Sequence, residues 1–156
     1  MAKNQLMKKL ILAATAATLM FTACKKDSND ETPENQFTVG SIVYKDVYLS
    51  SLNNVLNATS PAGGSLQMKF HQFALPSQSG TFKVVVNPKA SDEIQIIALS
   101  LVNGATNQYT AGYTSGQTAT VTVNNGIYKV QFSNISARNV NDSTETVMLS
   151  ANVSQD

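Results

Sequence analysis

Tryptophan is absent from the 156 residues, and cysteine and histidine occur once each, as Cys24 and His71. A single cysteine closes no intramolecular disulfide, so no cystine framework holds this chain. One imidazole and one thiol also exclude a His-rich or Cys-rich metal centre within one chain, and no cofactor is expected. Charge is scarce and balanced. Lys and Arg number 11 against 10 Asp and Glu, a formal net charge of +1. Nucleic-acid binding needs a basic face or stripe, which this balance does not supply. No GxGxxG or other phosphate-cradling loop occurs. What remains is enough chain for one ordinary domain and little more.

The N-terminus reads as an address. Lys3, Lys8 and Lys9 form a basic start, and Leu10 to Phe21 are apolar or small. Thr22, Ala23 and Cys24 follow. A basic region, a short apolar run and small residues before a cut site make a secretory signal over residues 1–23. A bilayer span needs roughly 20 apolar residues, so this run is too short to stay as a transmembrane helix. Phe21-Thr22-Ala23-Cys24 resembles the lipobox of bacterial lipoproteins, with Phe21 where Leu is usual. That resemblance implies cleavage before Cys24 and a diacylglycerol on its sulfur, with a further acyl chain such as palmitate on its amine. The partner so implied is the membrane, reached through the N-terminal lipid. Lys25 stands where enteric lipoproteins kept at the inner membrane typically carry Asp, which implies the outer membrane as the destination. Residues 25–36 (KKDSNDETPENQ) hold no apolar side chain and read as an extended polar tether. Such a coil reaches roughly 20 Å. Whether the domain faces the periplasm or the exterior stays open.

Residues 37–156 read as all-β. Period-two alternation runs through Leu66, Met68 and Phe70; Phe82, Val84 and Val86; Ala119, Val121 and Val123; Tyr128, Val130 and Phe132; and Val147 to Val153. Residues 94–102 (IQIIALSLV) are apolar on both faces, which suits a strand covered on both sides or one that bulges. Residues 37–44 read as a first strand. Asn125-Gly126 predicts a two-residue type I′ hairpin. Its register pairs Val123 with Tyr128, Val121 with Val130 and Ala119 with Phe132, which keeps all six on one face. Residues 46–57 are ambiguous: Leu49, Leu52, Val55 and Leu56 have helical spacing, whereas the asparagines weaken a helix. Many short strands predict a two-sheet antiparallel β-sandwich, with a small closed barrel as the alternative.

Candidates for chemistry are few. A Ser–His–acid triad needs His71, which alternation places on a strand as a solvated residue. Gly112 to Gly116 (GYTSG) has its serine one place late for a nucleophile elbow. Asp92 and Glu93 are adjacent and point to opposite faces of a strand. Asn139, Asn141, Asp142 and Glu145 gather oxygen ligands suited to Ca²⁺, but the loop lacks the EF-hand glycine and reads better as a polar turn, so no metal is expected. Asp142-Ser143-Thr144 resembles a short O-glycosylation motif of exported proteins in some Gram-negative bacteria, which implies Ser143 as acceptor. Tyr109 and Tyr113 are candidate glycan contacts, since exposed aromatic faces stack on sugars.

Taken together, the chain resembles the small outer-membrane lipoproteins of Gram-negative bacteria, each with a signal, a lipidated Cys, a polar tether and one β domain. The expectation is a non-catalytic binding or accessory module, not an enzyme, whose partner is a glycan or an envelope protein. The alternative is a structural or adhesive surface protein that assembles through sheet edges.

Overall fold

The computed structural model describes residues 34–155; the signal and Cys24 lie outside the described residues. Eleven strands follow one another: β1 (Gln36–Val39), β2 (Ile42–Tyr44), β3 (Tyr48–Leu52), β4 (Val55–Thr59), β5 (Ser65–Phe70), β6 (Gly80–Val84), β7 (Glu93–Val102), β8 (Ala105–Ala111), β9 (Thr118–Asn124), β10 (Ile127–Asn139) and β11 (Thr146–Ser154). A 3₁₀ turn, His71–Phe73, is the only helical element among the described residues. The fold is all-β, as the alternation predicts.

The strands form one continuous sheet in the order β2-β1-β11-β10-β9-β6-β7-β5-β4-β3. The sheet folds over a single core, so its two halves pack face to face as a sandwich. Tyr44 from β2 reaches across to β7, where its hydroxyl meets Ser100 Oγ at 2.8 Å in a buried hydrogen bond. Phe70 from β5 meets Phe82 from β6 edge-on, with ring centroids 5.2 Å apart. Leu66, Met68, Ile94, Ile96, Val121 and Val130 are fully buried in the same core. Each such side chain contributes roughly 1.5–3 kcal/mol relative to an exposed one.

Two features depart from a simple antiparallel sandwich. β6 and β7 pair in parallel through Lys83↔Glu93 and Val84↔Ile94. A long crossover is unnecessary because only the end of β6 and the start of β7 touch. Lys83 Nζ and Asp92 Oδ2, 2.8 Å apart on the surface, lie beside this short contact. β8 pairs with β7 and with the C-terminal part of β10, so the pairings β10–β9–β6–β7–β8 return to β10. This ring is local: β2 and β3, at the ends of the strand order, do not pair with each other among the described residues.

Several local expectations are corrected. Residues 37–44 are two strands, not one. The chain reverses at Gly40 and Ser41, so that Val39 pairs with Ile42. Gln36 already pairs with Asn152, so the last tether residue belongs to the domain. Residues 46–57 hold the β3–β4 hairpin and no helix. Asn53 and Asn54 take φ of 52° and 60°, the paired positive values of a primed turn. Leu49 and Leu56 are buried while Leu52 is exposed, so the leucine spacing serves strands. β7 seals one face only: Ile94, Ile96, Ala98 and Ser100 are buried, whereas Gln95, Ile97 and Leu99 are half-buried. The bulge falls in β10, between Phe132 and Ile135, where Asn134 has φ of 53°.

The β9–β10 hairpin has the expected turn. Asn125 and Gly126 have φ of 51° and 81°, Tyr128 pairs with Val123, and Val130 with Val121. The β9–β10 ladder ends at Gln131↔Thr120, and Ala119 pairs instead with Phe82 of β6. A Cβ at Gly126 would meet no atom within 4 Å, so a substitution there tests backbone conformation alone. Gly126→Val is expected to destabilise the domain by about 1–3 kcal/mol, the cost of a sparsely populated backbone region. Exposed Thr122→Ala should cost about 0.5 kcal/mol or less. Urea midpoints compare the two; equal midpoints would contradict the turn assignment.

Candidate functional site

The polar residues singled out in the sequence gather where β8, β10 and the β10–β11 turn meet. Asn139 faces Tyr109 across the β8–β10 ladder, and Arg138 faces Thr110. Cross-strand partners share a face and successive residues alternate, so Tyr109 and Arg138 lie on opposite sides of the sheet.

On the inner side Tyr109 is buried. Its hydroxyl donates to Glu145 Oε1 at 2.8 Å. Burial foremost, and then the Glu145 carboxylate, push the phenol up to about 12. Asn139 Nδ2 donates to Glu145 Oε2 at 2.6 Å, so both oxygens of this carboxylate are engaged within the fold. The same turn is closed by Asn139 N–H donating to Glu145 O and Asn141 N–H donating to Asn139 Oδ1. Asp142 Oδ1 accepts from the hydroxyl and the N–H of Thr144 at 2.6 and 3.0 Å. Those bonds hold the Asp142 carboxyl below its usual range. The oxygen-rich loop is thus a polar hairpin turn in which Asn139 Oδ1, Asp142 Oδ1 and both Glu145 carboxylate oxygens accept hydrogen bonds within the fold. Ser143, between Asp142 and Thr144, is exposed.

On the outer side, Tyr113 is half exposed and the Arg138 guanidinium sits 4.8 Å from its ring centroid. Such a pair is worth about 0.5–1 kcal/mol at an exposed site. Arg138 makes no ion pair among the described residues. The fold therefore separates the two tyrosines: Tyr109 is buried and Tyr113 is half exposed. The device is Gly112, with φ of +100°. It ends β8 and turns the chain, so Tyr113 does not continue the alternation of the strand. Arg138 was missed in the sequence, because nothing local links it to a tyrosine twenty-five positions earlier.

A second concavity surrounds the lone histidine. His71 is not on a strand; β5 ends at Phe70, and His71 opens the 3₁₀ turn. It is half-buried, and its Nδ1 lies 3.3 Å from the Pro88 carbonyl oxygen. A carbonyl only accepts, so Nδ1 carries a proton. The ring lines a cavity of about 440 Å³ with Phe70, Leu75, Pro76, Phe82 and Ser91. Gln72 and Phe73 both have positive φ, 54° and 52°, an uncommon conformation for non-glycine residues. No charged side chain lines this cavity, and a carbonyl orients the imidazole where a triad would use a carboxylate. Asp92 and Glu93 have separate partners, Lys83 for the first and the backbone N–H groups of Lys89 and Ala90 for the second.

No group of His, Cys, Asp and Glu among the described residues is arranged to hold a metal ion, and no described helix is long and apolar enough to cross a membrane. No protein-family model matches the chain, and no curated protein or solved structure shows significant similarity to it.

Proposed function

We propose that the chain is a lipid-anchored outer-membrane lipoprotein whose β domain acts as a non-catalytic binding module for acidic glycans. The anchor reading rests on Phe21-Thr22-Ala23-Cys24 and on the absence of any second cysteine to partner Cys24. The binding reading is carried by one observation: a half-exposed tyrosine ring with an arginine over it that has no carboxylate partner among the described residues. The ring packs against the C–H face of a sugar, and the guanidinium forks onto a uronate carboxylate. Ser143, exposed on the neighbouring turn, is the proposed O-glycosylation acceptor.

A glycan array probed with the mature protein tests the binding reading. Uronate-containing polysaccharides should bind, and Tyr113→Ala or Arg138→Gln should each weaken binding by roughly tenfold, the scale of about 1–2 kcal/mol for a well-placed contact at the centre of an interface. Identical binding by wild type and both variants, or none by any of them, would count against it.

A second reading has its own support. β3 pairs only with β4, and no charged residue lies between Val47 and Ser60 to guard this edge. A protein that assembles through sheet edges would use this strand, and it would sediment faster as its concentration rises.

A further inference from the structure

The place where the chain enters the domain is fixed by a cluster of hydrogen bonds. Ser154 N–H donates to Asn35 Oδ1 at 3.2 Å, and Ser154 Oγ donates to the same oxygen at 3.1 Å. Lys129 Nζ lies 3.1 Å from Glu34 Oε1, and Val47 N–H donates to Asn35 O at 3.1 Å. Ser154 also lines a recess of about 530 Å³ with Tyr48, Ser50, Ile127 and Gln155. The chain therefore enters beside this recess.

Two large side chains of the recess, an aromatic and an aliphatic one, are exposed among its serines. Tyr48 is 65% exposed and Ile127 47%. Leu52, two pleats along β3 on the same face as Tyr48, is 65% exposed. Lys129 and Glu34, beside Ser154, pair with each other. About ten residues separate Glu34 from Cys24, and a chain of that length spans at most roughly 35 Å in any conformation.

We propose that this face, formed by Tyr48, Leu52 and Ile127, rests on the headgroup region of the bilayer that holds the Cys24 lipid. The inference rests on the anchor reading above. A tether this short keeps the face at a high effective concentration over the lipid, so a few apolar side chains are enough to dock it. Tyrosine is suited to the place, because its ring settles at headgroup level with its hydroxyl hydrated. None of the three side chains is charged, so docking on zwitterionic lipid is expected. Docked in this way, the β3 edge is covered by lipid and closed to a second copy. The β10–β11 turn, at the opposite end of β11, then points away from the membrane, with Ser143 at its tip. The nine residues of β11 span about 26 Å at the usual rise of a strand.

The absence of tryptophan supplies a clean reporter. Tyr48→Trp and, at the far end of β10, Val140→Trp are introduced separately into the full chain, which is lipidated and reconstituted in phosphatidylcholine vesicles. Vesicles containing a headgroup-level nitroxide lipid should quench the indole at position 48 at least twofold more than the indole at position 140. The emission at position 48 should also shift to the blue when vesicles are present. If the protein floats with vesicles but both positions are quenched alike, the docking fails while the anchor stands. If the protein does not float, the anchor reading fails and the docking with it. Shielding at position 48 that tracks protein density and not the nitroxide would assign the face to a second copy, which also overturns the proposal.

Discussion

Gly112→Ala is expected to destabilise the domain by about 2–6 kcal/mol, combining roughly 1–3 for a strained backbone with roughly 1–3 for overpacking. Gly112 has φ of +100°, and a Cβ there would lie 2.3 Å from the Val85 carbonyl carbon and 2.5 Å from Val86 N. These are main-chain atoms of the segment that links β6 to β7, so no side chain can rotate away. The whole chain must shift, and with it the parallel contact at Lys83↔Glu93 and the turn that carries Tyr113. That is a large share of a domain stability of roughly 5–15 kcal/mol. Urea or thermal unfolding checks the result. A midpoint within experimental error of wild type would mean that the two backbones do not approach each other here.

Gly64→Ala should be the second most damaging small change, and it should be open to rescue. Its Cβ would fall 2.4–2.6 Å from three atoms of the Tyr44 ring. Tyr44 is buried, stacks on Phe37 with centroids 4.8 Å apart, and spends its hydroxyl on Ser100. Displacing it should cost about 1–3 kcal/mol for overpacking and about 1 kcal/mol more for the lost buried hydrogen bond. Combined with Tyr44→Leu, the glycine change should cost less than it does alone, with a coupling on the order of 0.5–3 kcal/mol as expected for residues in contact. Additive losses in the double mutant would show that Gly64 does not abut the Tyr44 ring.

The elements legible in the sequence are those specified by near neighbours. Asn125-Gly126 announces its own turn, and alternation in the flanking strands leaves one register that keeps Val121 and Val130 inward. Asn53-Asn54 is the same device with asparagine in the second place. It was obscured because Leu49, Leu52 and Leu56 happen to fall at helical spacing. The parallel β6–β7 contact and the return of β8 to β10 depend on segments far apart in the chain, and no local pattern encodes them. The strand that alternation extends through His71 stops at Phe70, because Gln72 and Phe73 take left-handed conformations that their residue types do not favour.

The candidate site divides in the same way. The polar turn was evident from its composition, and its hydrogen bonds follow the short-range preferences of Asn and Asp. Local sequence does not distinguish the two tyrosines. A spacing of four on an unbroken strand would have placed both on one face. Gly112 breaks the strand between them, and only the folded chain brings Arg138 to the ring that stays outside.

Metabolic labelling with a clickable palmitate, followed by fractionation of the envelope, tests the lipoprotein reading most directly. The wild-type chain should incorporate label and sediment with outer membrane. Cys24→Ser should incorporate none, retain its signal and run as the larger, unprocessed form. Label on the Cys24→Ser protein, or wild-type protein released unlabelled and soluble, would contradict the anchor on which the proposed function depends.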